Sequence, residues 1–220
     1  MSARKPKEPD LNRASLLAAA SREFAERGFQ GARLEVIASE AGITRAMVYY
    51  YFGGREGLYL AALEEVYRHI RTSERAIDLQ GLGPVDAMRR LTCFRIDYYV
   101  ENPLIVALLA IENQHKAEYL KNSQEISARA GISLEPLGAI LQQGQAEGVF
   151  RPGIDVVELH QIMVSLGMFN VSNQYTFGAI FARELCSPER LARTRELACE
   201  VVLGFLSTAN HPRQEALHSA

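Results

Sequence analysis

The sequence is short of the features that mark most secreted, membrane and metal-binding proteins. It has three cysteines in 220 residues, Cys93, Cys186 and Cys199. Their number is odd and they form no CxxC pair, so neither a disulfide framework nor a thiolate zinc site is expected, in keeping with a reducing, cytoplasmic setting. No uninterrupted apolar run reaches the ~20 residues a membrane helix needs. The polar start, MSARKPKEPDLNR, is not followed by the apolar stretch of a secretion signal. His69, His115 and His160 have no His or Cys four residues on, so no metal or other cofactor is expected. No glycine-rich phosphate loop follows a strand, and Ser123, Ser127 and Ser133 lack a nucleophile-elbow context, so no enzyme activity is expected. Alternating β patterns are not sustained, and there is no internal repeat or low-complexity segment. The class that survives is all-α.

Net charge is also small. The formal net charge is −2, too little for a generic nucleic-acid coat. Its distribution says more. Residues 1–57 hold nine Lys/Arg against seven Asp/Glu, and the remainder holds fifteen against nineteen. The small positive excess lies in the N-terminal quarter. Residues 1–10 carry Arg4, Lys5 and Lys7 with two prolines, which makes them either an ordinary terminus or a phosphate-tracking arm.

The most informative stretch is Arg33 to Phe52, RLEVIASEAGITRAMVYYYF. Ile37, Ala38 and Ala41 are three and four apart and share a helix face. Gly42 can take the left-handed conformation that stops a helix. Thr44 is then placed to cap a second helix through its hydroxyl. On that helix Val48 and Phe52 face inward, Ala46 and Tyr50 lie opposite, and Arg45, Met47 and Tyr49 flank them. A scaffold helix, a tight turn and a second helix with an open face make a helix-turn-helix, whose second helix enters the DNA major groove. Arg45 can reach a guanine edge or a phosphate. Tyr49 and Tyr50 each offer a hydroxyl and a flat apolar face. Thr44 can donate to a phosphate.

The longer stretch Leu16 to Glu64 resembles the N-terminal domain of the TetR family of bacterial transcriptional regulators. FAERGF, IA…AGIT, VYYYF and REGLYLAALE occur in that order. The resemblance implies a repressor released from a palindromic double-stranded operator by a small-molecule effector, acting as a homodimer away from any membrane. It puts Arg55 where the family commonly has a phosphate-contacting lysine. There are two departures from the family pattern, one before helix two and one in the recognition helix. Ala32 and Arg33 stand where small hydroxyl residues are usual, so Arg33 either makes a charged phosphate contact or is simply solvated. Met47 stands where Thr or Ser is common, and it either reads thymine methyls or fills space. The run SNQYTFGAIFARELCSPE is similar to the C-terminal region of the pyrimidine-utilisation regulator subgroup.

The expected organisation is a three-helix DNA-binding domain over 1–54, with 1–10 as a basic arm. A helical ligand-binding and dimerisation domain over 55–210 and a tail over 211–220 follow. Helix four is expected from Arg55 to Thr72, and one long helix from Gln124 to Glu147. Polar residues interrupt the apolar C-terminal helices. Either they bond one another or they line an effector site, for which Phe94, Asp97, Tyr98, Met168, Asn170 and Asn173 are the candidates. Ile162–Val171 and Val201–Leu206 are apolar on more faces than one core needs. Ile162, Val171, Val202 and Phe205 are therefore candidates for a four-helix dimer interface. Two rival functions remain: a small-ligand-binding helical enzyme, and an architectural protein that binds DNA without an effector.

Overall fold

The computed structural model describes residues 8–129 and 134–208, with side chains from Arg13 onward. The arm residues Arg4, Lys5 and Lys7 and the tail 211–220 lie outside the described residues, whereas 8–10 form the first turn of a helix. The helices are α1 Glu8–Gly31, α2 Leu34–Glu40, α3 Arg45–Phe52, α4 Arg55–Arg75, α5 Pro84–Glu101 and α6 Pro103–Gln114. They continue as α7 Gln124–Arg129, α8 Glu135–Ala146, α9 Val156–Ser172, α10 Gln174–Phe181 and α11 Pro188–Leu206. Among the described residues the only β pairing is an isolated bridge between Phe150 and Ser207.

The helix expected over 124–147 is two. Pro136 has no N–H to give and its ring would clash with the carbonyl four residues back. A new helix therefore starts at Glu135, with Pro136 in its first turn and Leu134 as cap. Other ends follow their local chemistry. Asp155 accepts from the Val157 N–H at 2.8 Å and Ser187 from the Arg190 N–H at 3.3 Å.

Two compact units form. The first joins residues up to Thr72 with Asn102–Arg129, and is larger than the expected 1–54 module because α6 packs on α1. Its core takes the α1 stripe Leu16, Leu17, Ala20 and Phe24 and the α4 stripe Leu58, Ala62, Leu63 and Val66, all buried. Each such Leu or Phe contributes roughly 1.5–3 kcal/mol relative to exposure, as an upper bound. Phe24, Phe29, Tyr59 and Tyr119 close the core with edge and tilted contacts at 4.5–5.2 Å between ring centroids. Glu112 has a structural task here. It is 3% exposed and accepts the N–H groups of Tyr119 and Leu120 at 3.0 and 2.8 Å. These bonds anchor a turn in which Lys116 and Ala117 take left-handed φ of 56° and 58°, a conformation that costs a non-glycine residue roughly 1–2 kcal/mol.

The second unit joins Ser73–Glu101 with the chain from residue 130. Met88, Leu91, Leu137, Leu159, Met163, Val202 and Leu206 fill the space among α5, α8, α9 and α11. Inside the unit sits a charged group that periodicity does not announce. Arg95, 4% exposed, holds Glu74 at 2.8 Å through Nη2 and His160 Nδ1 at 2.8 Å through Nη1. Arginine only donates, so Nδ1 accepts and the ring proton lies on Nε2. Burial, and then the Arg95 charge, lower the His160 pKa from 6.5 to about 4.

The unfolded chain therefore binds a proton at His160 between pH 6.5 and about 4 that the folded chain refuses. This contribution to stability is complete above pH 6.5 and is lost as the pH falls through that range. Between about pH 7 and pH 5, urea melts should lose on the order of 1 kcal/mol more in the wild type than in His160→Asn, after allowance for the ring's partial solvation. Parallel pH dependence in the two proteins would show that His160 is not held neutral.

Candidate nucleic-acid interface

The helix-turn-helix is built within the first unit. α2 buries Leu34, Ile37 and Ala38. Its first turn is held from α1. The Glu23 carboxylate, 6% exposed, accepts the Arg33 N–H at 3.1 Å and pairs with Arg27 at 3.2 Å. A carboxylate at a helix N-terminus satisfies an orphan donor and opposes the helix dipole. The turn closes as the sequence suggests. Gly42 has φ +69°, the Ile43 N–H reaches the Ala38 carbonyl at 2.9 Å, and the Gly42 N–H reaches that of Ser39 at 3.1 Å. These are the two bonds of a Schellman motif.

α3 then presents its face. Val48 is fully buried, while Thr44, Arg45, Ala46, Tyr49 and Tyr50 are exposed and Met47 is half-buried. Tyr50 is 80% exposed, unusual for a ring of that size. The expectation that the Thr44 hydroxyl caps α3 is corrected. Thr44 is extended, at φ −86° and ψ 154°, but its side chain makes no cap bond. Its backbone carbonyl takes the Met47 N–H at 3.0 Å instead, so the hydroxyl stays on the open face.

Three of the expected contact residues, Arg45, Tyr49 and Arg55, have partners already. Arg45 pairs with Glu35 of α2 at 2.6 Å, donates to the Tyr49 hydroxyl at 3.1 Å and lies over the Tyr49 ring. All three groups are exposed, so the pair orients the guanidinium at little energetic gain, and a phosphate or base can compete for it. Arg55 gives Nη1 to the Gln30 carbonyl at 2.9 Å and to that of Phe29 at 3.4 Å. It therefore ties the end of α1 to the start of α4, a positioning task the sequence did not suggest. Arg33 is exposed and only its backbone N–H is engaged by Glu23.

Three residues missed in the sequence matter here: Glu23, Glu35 and Gly57. The acids are ten positions from the residues they hold and leave no periodic signal. Gly57 is a matter of space. A Cβ there would lie 1.9 Å from the Phe52 carbonyl oxygen, a backbone atom that cannot swing aside. The α3–α4 junction needs a glycine for this close approach.

The expected effector residues do not converge on one site. Phe94, Asp97 and Tyr98 line an open groove of about 770 Å³ with Ser73, Asp78 and Arg90. Asp97 is engaged there by Arg195 of α11, at 2.6–2.7 Å. Asn170 lines a separate, smaller groove of about 300 Å³ between α9 and α11, and gives its amide to the Leu166 carbonyl one turn back. Asn173 bonds Ser172 and Phe169 beside it in the chain. Met168 lines neither groove. An (i, i−4) bond satisfies an amide without a cavity, which is why the polar interruptions of α9 misled.

The expected interface residues are likewise split. Val202 is 0% and Val171 7% exposed within this chain, so neither has a surface to offer a partner. Ile162 and Phe205 are half-buried. The exposed neighbours are Val201 at 50% and Phe169 at 46%, with Tyr175, Ile180 and Phe181 on α10.

Comparison with known proteins bears on this geometry. A family model described as "Bacterial regulatory proteins, tetR family" matches residues 16–62, and one described as "Tetracyclin repressor-like, C-terminal domain" matches 84–202. The chain belongs to the TetR family. Among similar TetR family members is the HTH-type transcriptional repressor NicS of Pseudomonas putida. It is 35% identical over 185 residues, 84% of this chain and 87% of that one. The match to the HTH-type transcriptional regulator RutR of Escherichia coli is 42% identical but spans only 52 residues, 24% of each chain. It does not place the chain in that subgroup. A crystal structure of a TetR family transcription regulator from Marinobacter aquaeolei VT8 superposes with a TM-score of 0.69 at 23% identity, covering 90% of this chain and 97% of that one. Among the described residues no helix is long and apolar enough to cross a membrane.

The Gly57 contact gives a direct test of the junction. Gly57→Ala gains about 1 kcal/mol of helix propensity but must part α4 from the end of α3, a repacking that costs ~1–3 kcal/mol or more. The variant should unfold at lower urea and bind DNA more weakly. Equal or higher stability would show that the junction does not depend on that close approach.

Proposed function

We propose that this TetR family protein is a DNA-binding transcriptional repressor that leaves a palindromic operator when a small-molecule effector binds. The observation that carries the reading is α3 itself. It is a short helix with one fully buried side chain and an open face of Thr44, Arg45, Ala46, Tyr49 and Tyr50, locked by the turn at Gly42 and the junction at Gly57. NicS, named a repressor, lends the sign of regulation. The place of action is the cytoplasm, where the DNA is. The net charge of −2 gives little long-range steering, so affinity depends on placed contacts and on doubling. In this reading residues 1–54 carry DNA recognition, and 55–210 carry ligand binding and dimerisation.

Two copies would pair through the exposed apolar face of α9 and α11, with Phe169 and Val201 in place of the buried Val171 and Val202. Two-fold symmetry then sets two α3 helices about one DNA turn, ~34 Å, apart and requires a palindrome. For the effector, the groove at Phe94, Asp97 and Tyr98 is the better candidate. Phe94 and Tyr98 supply an aromatic wall with ring centroids 5.5 Å apart. Ser73, in the last turn of α4, lines the same groove, and the first turn of that helix carries Arg55. A ligand there acts on DNA binding only as far as it prefers one placement of α4 over another.

Sequencing the genomic fragments that the protein retains tests the reading as a whole. One palindromic sequence class should be enriched; equal retention of all duplexes would instead make the protein architectural. On the enriched site, Arg45→Ala should cost ~1–3 kcal/mol at matched salt with no change in the unfolding midpoint. Unchanged affinity would remove Arg45 from the contact set. For the dimer, Val201→Glu should give the mass of one chain by light scattering while keeping wild-type helicity, and should weaken operator binding. A Val201→Glu protein that remains dimeric would move the interface elsewhere.

A further inference from the structure

The three thiols are scattered in sequence, but folding brings two of them together. Cys93 on α5 and Cys199 on α11 are 106 positions apart, and their Sγ atoms lie 3.6 Å apart. Both are free, as is Cys186, whose Sγ points instead at the Asn170 carbonyl oxygen at 3.5 Å. Two sulfurs at 3.6 Å are already in contact, and a disulfide needs them about 1.5 Å closer. We propose that Cys93 and Cys199 are an oxidisable pair that closes to a reversible disulfide between α5 and α11 when the protein meets a peroxide.

The surroundings divide the labour. Cys93 is partly exposed and lines the open groove with Phe94 and Asp97, so a small oxidant reaches it. Cys199 is 4% exposed, and its thiol faces the Arg89 carbonyl at 3.8 Å. Burial is the main cause that pushes the Cys199 pKa up to about 11, so Cys199 is the poorer first nucleophile. The Cys93 sulfur attacks one oxygen of hydrogen peroxide, the O–O bond breaks, and the departing hydroxide leaves as water with the thiol proton. Cys93 is then a sulfenic acid. The Cys199 sulfur attacks the Cys93 sulfur, the S–O bond breaks, and that hydroxide leaves as a second water with the Cys199 proton. Two thiols have given two electrons to one peroxide, with a disulfide and two waters as products. A thiol such as glutathione or thioredoxin reverses the step by exchange. Nothing in this chemistry depends on the DNA-binding reading.

The full-length protein is treated with hydrogen peroxide, alkylated with iodoacetamide and weighed intact, then digested with trypsin. Alkylated cysteines should fall from three to one. The tryptic peptides that contain Cys93 and Cys199 should appear joined, and dithiothreitol should restore all three adducts. In Cys199→Ser, whose folding is checked by helicity, Cys93 should take up oxygen to the sulfinic and sulfonic acids with no joined peptide. The proposal is overturned if wild-type Cys93 gains oxygen as fast as in Cys199→Ser, if the joined peptide contains Cys186, or if Cys186 oxidises while the pair stays reduced.

Discussion

A helix that offers its side chains to another molecule can keep few of them for its own core, and that constraint governs the first unit. α3 has eight residues and one fully buried side chain, Val48. Its own burial cannot fix its direction. The direction is imposed at both ends instead, by the two Schellman bonds across Gly42 and by the contact at Gly57 that admits no side chain. Behind these stand Glu23, which holds the first turn of α2, and Arg55, which joins the end of α1 to the start of α4. These polar contacts orient far more than they stabilise. The stability comes from the Leu16–Phe24 and Leu58–Val66 stripes beneath them.

The second unit meets a different constraint, a buried charge. Arg95 sits at 4% exposure with one carboxylate and one neutral imidazole as partners. A buried ion pair is a weak source of net stability, because desolvation offsets most of the Coulomb gain, but removing one partner is costly. The Arg95–His160 bond links α5 to α9. Two polar pairs on α5, Arg95 with His160 of α9 and Asp97 with Arg195 of α11, follow the Cys93–Cys199 contact along the same helix.

Where the sequence was legible, the signal was local. The α2–turn–α3 unit could be read because its periodicity, its glycine and its apolar positions fall within twenty residues. The caps at Ser187 and Asp155 and the start of α6 at Pro103 likewise rest on single-residue chemistry. Where reading failed, the deciding partner was distant or the choice was between two faces. Val201 and Val202 are equally apolar, yet one is half exposed and the other buried, because only the packing of α11 on α5 and α9 sets the rotation. Thr44 has the right residue type for a cap but leaves its hydroxyl unused. The polar residues of α9 looked like one constellation and proved to bond one turn back. The pairing of Cys93 with Cys199 had no sequence signal at all.

The proposed function requires α3 to read DNA in two copies related by a two-fold axis. Hydroxyl-radical footprinting on a genomic fragment that the protein retains tests this most directly. Two equivalent protected patches are expected on one face of the duplex, their centres one helical turn, ~34 Å, apart. A single patch, or uniform protection that vanishes with salt at every sequence alike, would contradict it.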